Sequence, residues 1–141
     1  MEHLAIMKKS WKLTEKIVTG EKKIESRWYK QKRAPWDKIK AGDRIYFKDS
    51  GEPVSILATA EKILQFQDLN PKKVKEIITK YGKAIAFQNP EASFNMNKDK
   101  KYCMLIYLKN PKKIQPFNID KKGFGSMSAW ISLNSIEEIR K

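Results

Sequence analysis

Residues 102–108 read YCMLIYL, a run with no charged residue to mark a solvent side. A strand of that composition needs cover on both faces, so it belongs inside a sheet with other elements packed above and below it. Its unbroken apolar part, 103–108, is far too short to cross a bilayer. The chain must therefore build a sheet-centred core around this segment.

The remaining pattern supplies the other layers. Residues 2–7 (EHLAIM) read as a first strand. Ser10 is placed to cap a helix over about 11–19, and Gly20 to stop it. Leu13 and Ile17 give that helix an apolar stripe. Residues 22–29 (KKIESRWY) alternate, with Ile24, Ser26 and Trp28 on one face and Lys23, Glu25 and Arg27 on the other. Residues 30–42 form a basic loop around Pro35 and Trp36. A turn at 41–43 opens a strand over 44–48 (RIYFK), and 54–66 (VSILATAEKILQF) makes one or two more. Asn70 or Asp68 caps a helix that starts at Pro71, runs to about Tyr81 and is ended by Gly82. Residues 88–101 are polar and read as a loop. Residues 111–128 read as a second loop, basic through Lys112, Lys113, Lys121 and Lys122 and most flexible at Gly123-Phe124-Gly125. Residues 129–133 (AWISL) form a last strand, and Asn134 caps a short final turn to Ile139. The expectation is one α+β domain over 1–141, a mixed β-barrel of about five to seven strands with two or three flanking helices.

Composition narrows the chemistry. One Cys and one His exclude a disulfide framework and a Cys/His zinc site, so no metal and no cofactor is expected. Cys103 sits within the apolar strand and reads as inert core. His3, close to the terminus, reads as exposed. No signal peptide is visible at the N-terminus, and a cytoplasmic setting with no membrane partner is expected. The net charge is +14, with 26 Lys and four Arg. Lysine is a flexible point charge, whereas arginine makes the planar two-pronged contacts that read bases. A lysine-dominated surface favours attraction to a phosphate backbone, so RNA or another nucleic acid is the expected partner. An acidic membrane surface is the second candidate for the same charge, and an acidic protein partner a further alternative.

Residues 20–27 spell G-x-K-x-I-E-x-R directly after a helix, and Ala41-Gly42-Asp43 opens the next strand about fifteen residues later. With the leading strand, the Trp-containing helix and the Asp-Ser-Gly-x-Pro-Val turn at 49–54, this resembles the ASCH domain family of the PUA-like superfamily over residues 1–87. The resemblance implies a PUA-like pseudo-barrel with a cleft beside the helix-to-strand turn. It also implies RNA binding, recognition of a modified base or nucleotide-like small ligand, and a cleft lined by Lys22, Glu25 and Arg27. Some ASCH proteins are hydrolases that deacylate modified cytidine through a Lys-Thr-x-Thr motif, with the second Thr as nucleophile and a distant Glu. Here Lys22 matches, but Lys23 and Glu25 stand at the two Thr positions, while Glu61 and Glu76 are the possible distant acids. Others are ribonucleases, and in such chemistry Lys22 and Arg27 would stabilise the charged phosphorus centre with Glu25 as base.

The residues themselves allow the same cleft. Two cations flanking an acid near one opening can hold a phosphate or a base edge. An exposed Glu25–Arg27 salt bridge of little energetic weight is the competing reading. Lys48 and Ser50, at the strand end and turn following 44–48, join the candidate binding set. Trp36 lies among loop cations and is either a stacking platform or a loop anchor. Phe124, between two glycines, is a candidate mobile stacking residue, and Trp130 either lines the cleft or fills the barrel end. Trp11 and Trp28 read as packed.

Overall fold

The computed structural model spans residues 1–141 and describes all of them except Lys122 and Ser126. Among the described residues there are six strands: β1 (Glu2–Met7), β2 (Ile24–Tyr29), β3 (Arg44–Asp49), β4 (Val54–Phe66), β5 (Tyr102–Phe117) and β6 (Trp130–Leu133). Among the same residues three α-helices accompany them: α1 (Leu13–Thr19), α2 (Pro71–Ile85) and α3 (Pro90–Asn97). The strands form one curled sheet in the order β2-β5-β4-β3-β1-β6. β1 and β3 run parallel and the other neighbours antiparallel, which makes the sheet mixed as expected. Three register shifts between β4 and β5 let the longest pair curl. Among the described residues β2 and β6 do not pair, so the barrel keeps an open seam between its two edges.

The apolar run lies where its composition demands. It occupies the first half of β5, between β2 and β4, and residues 103–106 are fully buried. Inside the curl, Phe47, Ile45, Met104, Ile106, Trp36 and Trp130 share a core with Ile17 of α1. Outside it, Val74, Ile77, Ile78 and Ile85 of α2 close over Ile24, Cys103 and Leu105. A third cluster joins Leu4, Tyr46 and Phe117 to Ile136 and Ile139.

Several elements differ from the sequence expectation. The first helix breaks into a 3-10 turn (Lys9–Trp11) and α1, separated by Lys12 at φ 55°, and no side chain caps α1, so Ser10 is not its cap. Asn70 does cap α2, accepting from the Lys73 N–H at 2.8 Å. That helix continues through Gly82 to Ile85 and ends on Ala86 at φ 69°. The polar 88–101 segment is not all loop: Asn89 caps α3, with Pro90 at its first position. The basic segment after Leu108 continues β5 to Phe117 along β4, past the end of β2, so Pro111 and Pro116 leave no central ladder bond unmade. Ser135 rather than Asn134 caps the last 3-10 turn, accepting from the Glu137 N–H.

Candidate functional site

Gly20 ends α1 at φ 84°, a conformation that suits glycine, and its N–H donates to the Ile17 carbonyl. The Lys22 N–H then donates to the Lys16 carbonyl at 2.9 Å, and the chain turns directly into β2. On β2 the alternation holds, but neither face is solvent. Ile24 lies under α2, while Glu25 and Arg27 pair across the ladder with Ile106 and Met104, on the side of the inner core.

Burying charge there requires pairing, and the pairing is dense. The Lys22 Nζ donates to the Ile24 carbonyl (2.7 Å) and the Ile85 carbonyl (2.8 Å) and lies 3.2 Å from Glu25 Oε1. Arg27 meets Glu25 Oε2 through Nε (2.9 Å) and Nη2 (2.7 Å). Its Nη1 donates to the Ala129 carbonyl at 3.3 Å, and the guanidinium lies 5.1 Å from the Trp130 ring centre. Side-chain exposure is 2% for Lys22, 4% for Glu25 and 13% for Arg27, so the Glu25–Arg27 pair is interior and the competing reading of an exposed salt bridge does not hold. Burial drives the Lys22 ammonium below the ordinary lysine pKa. Burial alone would raise Glu25, but Arg27 and Lys22 together hold it below the ordinary carboxylate value. The three charges sum to one net positive.

This cluster floors a cleft of about 730 Å³ that opens at the seam. Trp28 and Phe87 contribute aromatic wall, α3 contributes Ala92 and Met96, and Trp11 stands at the side. Trp11 is 38% exposed rather than packed, with the Lys8 ammonium 5.0 Å from its ring centre. Lys8, Lys100 and Lys121 add positive charge to the lining, and Lys121 Nζ donates to the Ser128 carbonyl. A site of this size with apolar walls and a few polar groups suits a ligand of nucleotide size.

Neither a protein-family model nor a curated protein matches the chain. Among solved structures, the ASCH protein of Zymomonas mobilis superposes with a TM-score of 0.71 at 21% identity, covering 97% of this chain and 90% of that one. Two mutant proteins of the same Zymomonas protein give the same TM-score at 21% and 20% identity. This is the ASCH fold. The leading strand, the helix-to-strand turn and the G-D turn that carry the resemblance in sequence are β1, the α1–β2 junction and the entry to β3.

Within the ASCH fold the candidate residues separate into two groups. Lys22, Glu25, Arg27 and Ser50 line the cleft together. Lys48, Trp36, Phe124 and Trp130 are not among the lining residues. Trp36 is the loop anchor: it is buried in the inner core, edge-on to Tyr102 at 5.2 Å. Trp130 is buried behind Arg27 and fills the seam end of the core. Phe124 is exposed, and Lys48 is partly desolvated beside Lys121, which lowers its pKa. Lys122, also read as part of the basic loop, lies outside the described residues.

His3 is fully buried, against expectation. The Trp130 Nε1–H can only donate, so at 3.2 Å it makes His3 Nδ1 an acceptor and leaves the ring proton on Nε2, 2.9 Å from Asp43 Oδ2. The Ser132 hydroxyl lies 2.9 Å from Nδ1. α3 is the other feature missed, and its signal was present: Asn-Pro at 89–90 repeats the Asn-Pro at 70–71 that marked α2. No group of three or more His, Cys, Asp or Glu able to hold a metal occurs among the described residues. Among those residues, too, no helix is long and apolar enough to cross a membrane.

Proposed function

We propose that the chain is a nucleic-acid-binding module, with RNA as its first candidate partner, that takes an unstacked base or nucleotide-like group into the seam cleft. The observation that carries this reading is the cleft itself: aromatic and apolar walls over a buried ion cluster with one net positive charge. Aromatic walls accept any base face, and the positive floor and rim attract the phosphate attached to it. The fold shared with the Zymomonas ASCH protein is consistent with such a role.

Binding is favoured over hydrolysis by how the cluster spends its hydrogen bonds. The Lys22 ammonium engages two carbonyls and Glu25, and both Glu25 oxygens face cations. A nucleophile or base would have to leave those partners first. The cluster therefore reads as a rigid floor for the cleft.

The test is a titration of single-stranded RNA, duplex RNA, DNA and nucleoside monophosphates, at two salt concentrations, with the native protein and Ala92→Trp. Ala92 is exposed on α3 and faces the cleft, so an indole there occupies its space with little effect on folding. Loss of binding in the filled variant is expected. Undiminished binding of every probe by Ala92→Trp, or no binding by the native protein at low salt, overturns the reading. Product formation by the native protein would instead restore the hydrolase alternative.

A further inference from the structure

α2 carries a second feature that the cleft does not use. Its sequence, PKKVKEIITKYGKAI, turns Val74, Ile77, Ile78 and Ile85 inward. The exposed positions are Pro71, Lys72, Lys73, Lys75, Glu76, Thr79, Lys80 and Lys83. Five of those eight are lysines, on a helix about 22 Å long.

A solvated helix face normally interleaves acids with bases and collects its cations at the C-terminal end, where the helix dipole favours them. α2 does neither. No acid stands in its first turn, although Lys72 and Lys73 do. Glu76 is the helix's single acid, and no ion pair within 4 Å joins it to any of the five lysines. Elsewhere lysines do find acids, as Lys9 does with Glu52 and Lys16 with Glu21. The α2 lysines repel one another, and Lys72 and Lys73 in the first turn work against the dipole, so helix stability does not account for the whole set.

Their position points to a ligand. The C-terminal end of α2 supplies Ile85 to the cleft, and the following Ala86 and Phe87 continue its wall. Exposed Lys23 is held against the same end, its N–H donating to the Ala84 carbonyl at 2.7 Å. The end of α2 that carries Lys83 is thus the end that reaches the cleft wall, and the exposed lysine face extends from there along the helix.

We infer that the outward face of α2 is a phosphate track for the backbone of a nucleic-acid strand, continuous with the cleft. The track rests on the proposed function for its class of partner but occupies a different surface. A strand with one base in the cleft would lay its neighbouring phosphates along Lys83, Lys80 and the lysines beyond. Such contacts are sequence-independent and act through release of counterions, which suits lysine.

The experiment compares three proteins: native, a variant with Lys→Gln at 72, 73, 75, 80 and 83, and a control with Lys→Gln at 38, 40, 109, 112 and 113. Both variants lose the same charge from exposed positions, and the control leaves α2 intact. Glutamine matches lysine in helix propensity, and a circular-dichroism melt checks folding. The probes are a nucleoside monophosphate, a single-stranded RNA of about 20 nucleotides, and vesicles containing phosphatidylserine. RNA affinity is read between about 50 and 200 mM salt.

The α2 variant is expected to bind the RNA at least about tenfold more weakly at low salt, with its salt slope reduced by about 0.7 for each phosphate it no longer neutralises. The control is expected to change little, and the monophosphate to bind all three alike. Equal weakening in control and α2 variant overturns the track in favour of diffuse attraction. Vesicle binding that needs α2, without RNA binding, overturns it in favour of a membrane surface. Monophosphate binding with an unchanged RNA slope removes the track and leaves the cleft standing. An α2-dependent RNA slope without monophosphate binding does the reverse.

Discussion

The Arg27 guanidinium lies 5.1 Å from the Trp130 ring centre, and the two residues stand on opposite edges of the sheet. Arg27 is on β2 and Trp130 opens β6, strands that share no ladder among the described residues. One side chain thus spans a seam that backbone pairing leaves open. It does so while donating to the Ala129 carbonyl just ahead of β6 and to Glu25 on its own strand. The cleft lies beside this seam, which the Arg27 side chain bridges and no ladder closes among the described residues.

Removing either partner of the buried pair is therefore a stability experiment before it is a binding experiment. Glu25→Ala leaves two cations buried without their acid, and Arg27→Ala leaves Glu25 with Lys22 alone. Each is expected to cost about 3–5 kcal/mol, because the remaining charge stays desolvated. The double variant is expected to fall short of the sum by about 1–3 kcal/mol, since the two residues act through one ion pair. Urea denaturation of the four proteins measures this. Single-variant costs below about 1 kcal/mol would mean the cluster behaves as a surface pair despite its burial.

His3 makes folding depend on pH in a defined direction. Burial lowers its pKa, and the Asp43 hydrogen bond only partly offsets that. The native state thus holds His3 neutral at a pH where the unfolded chain, titrating near 6.5, takes up a proton. Stability is complete above about 6.5 and is lost as pH falls from there through the lower native value. It is the chain's one histidine, so no other imidazole contributes to that window. Unfolding free energies from pH 5 to 7 are expected to rise with pH by up to about 1.4 kcal/mol per unit. His3→Gln is expected to flatten the slope, and a slope that survives the substitution would assign it to another group.

Trp11 offers a cleft variant that spares the core. It is the most exposed of the four tryptophans and belongs to none of the three apolar clusters. Trp11→Ala is expected to weaken nucleotide binding on the order of tenfold, within the range that one base–aromatic stack supplies. Its unfolding free energy is expected to stay within about 0.5 kcal/mol of the native value. A drop in stability with affinity unchanged would place Trp11 in packing and move the base elsewhere in the cleft.

The fold was legible where pattern and burial agree. The strands at 2–7, 44–48 and 102–108 and the Asn70-Pro71 helix start all follow from local signals that the core then uses. The site was legible as residues but not as an environment. Alternation placed Glu25 and Arg27 on one face, yet only the curl of the sheet turns that face inward, and curl depends on bulges far away in sequence between β4 and β5. His3 was misread for a related reason: Asp43, Ser132 and Trp130 reach it from 40, 129 and 127 residues away. α3 was hidden by its polarity, because its eight residues bury only Asn97 fully and leave no apolar stripe to read.

Glycine use in α2 gives a last prediction, because this helix has its glycine in one place and its left-handed residue in another. Gly82 is interior helix, and a Cβ there would meet Phe87 Cδ2 at 3.5 Å and Ile78 Cγ2 at 3.9 Å, ordinary contact distances. Nothing in its backbone requires glycine, so Gly82→Ala is expected to stabilise by about 0.5–1 kcal/mol through lower unfolded-state entropy and better helix propensity. Ala86 ends the helix at φ 69°, where its Cβ costs about 1 kcal/mol that glycine avoids. Ala86→Gly is expected to recover part of that, less the apolar packing its methyl makes at the cleft wall. The sites lie four residues apart on one turn, so thermal melts of both single variants and the double show whether the gains add. A destabilised Gly82→Ala would show that Phe87 cannot accommodate the added methyl without disturbing the cleft it lines.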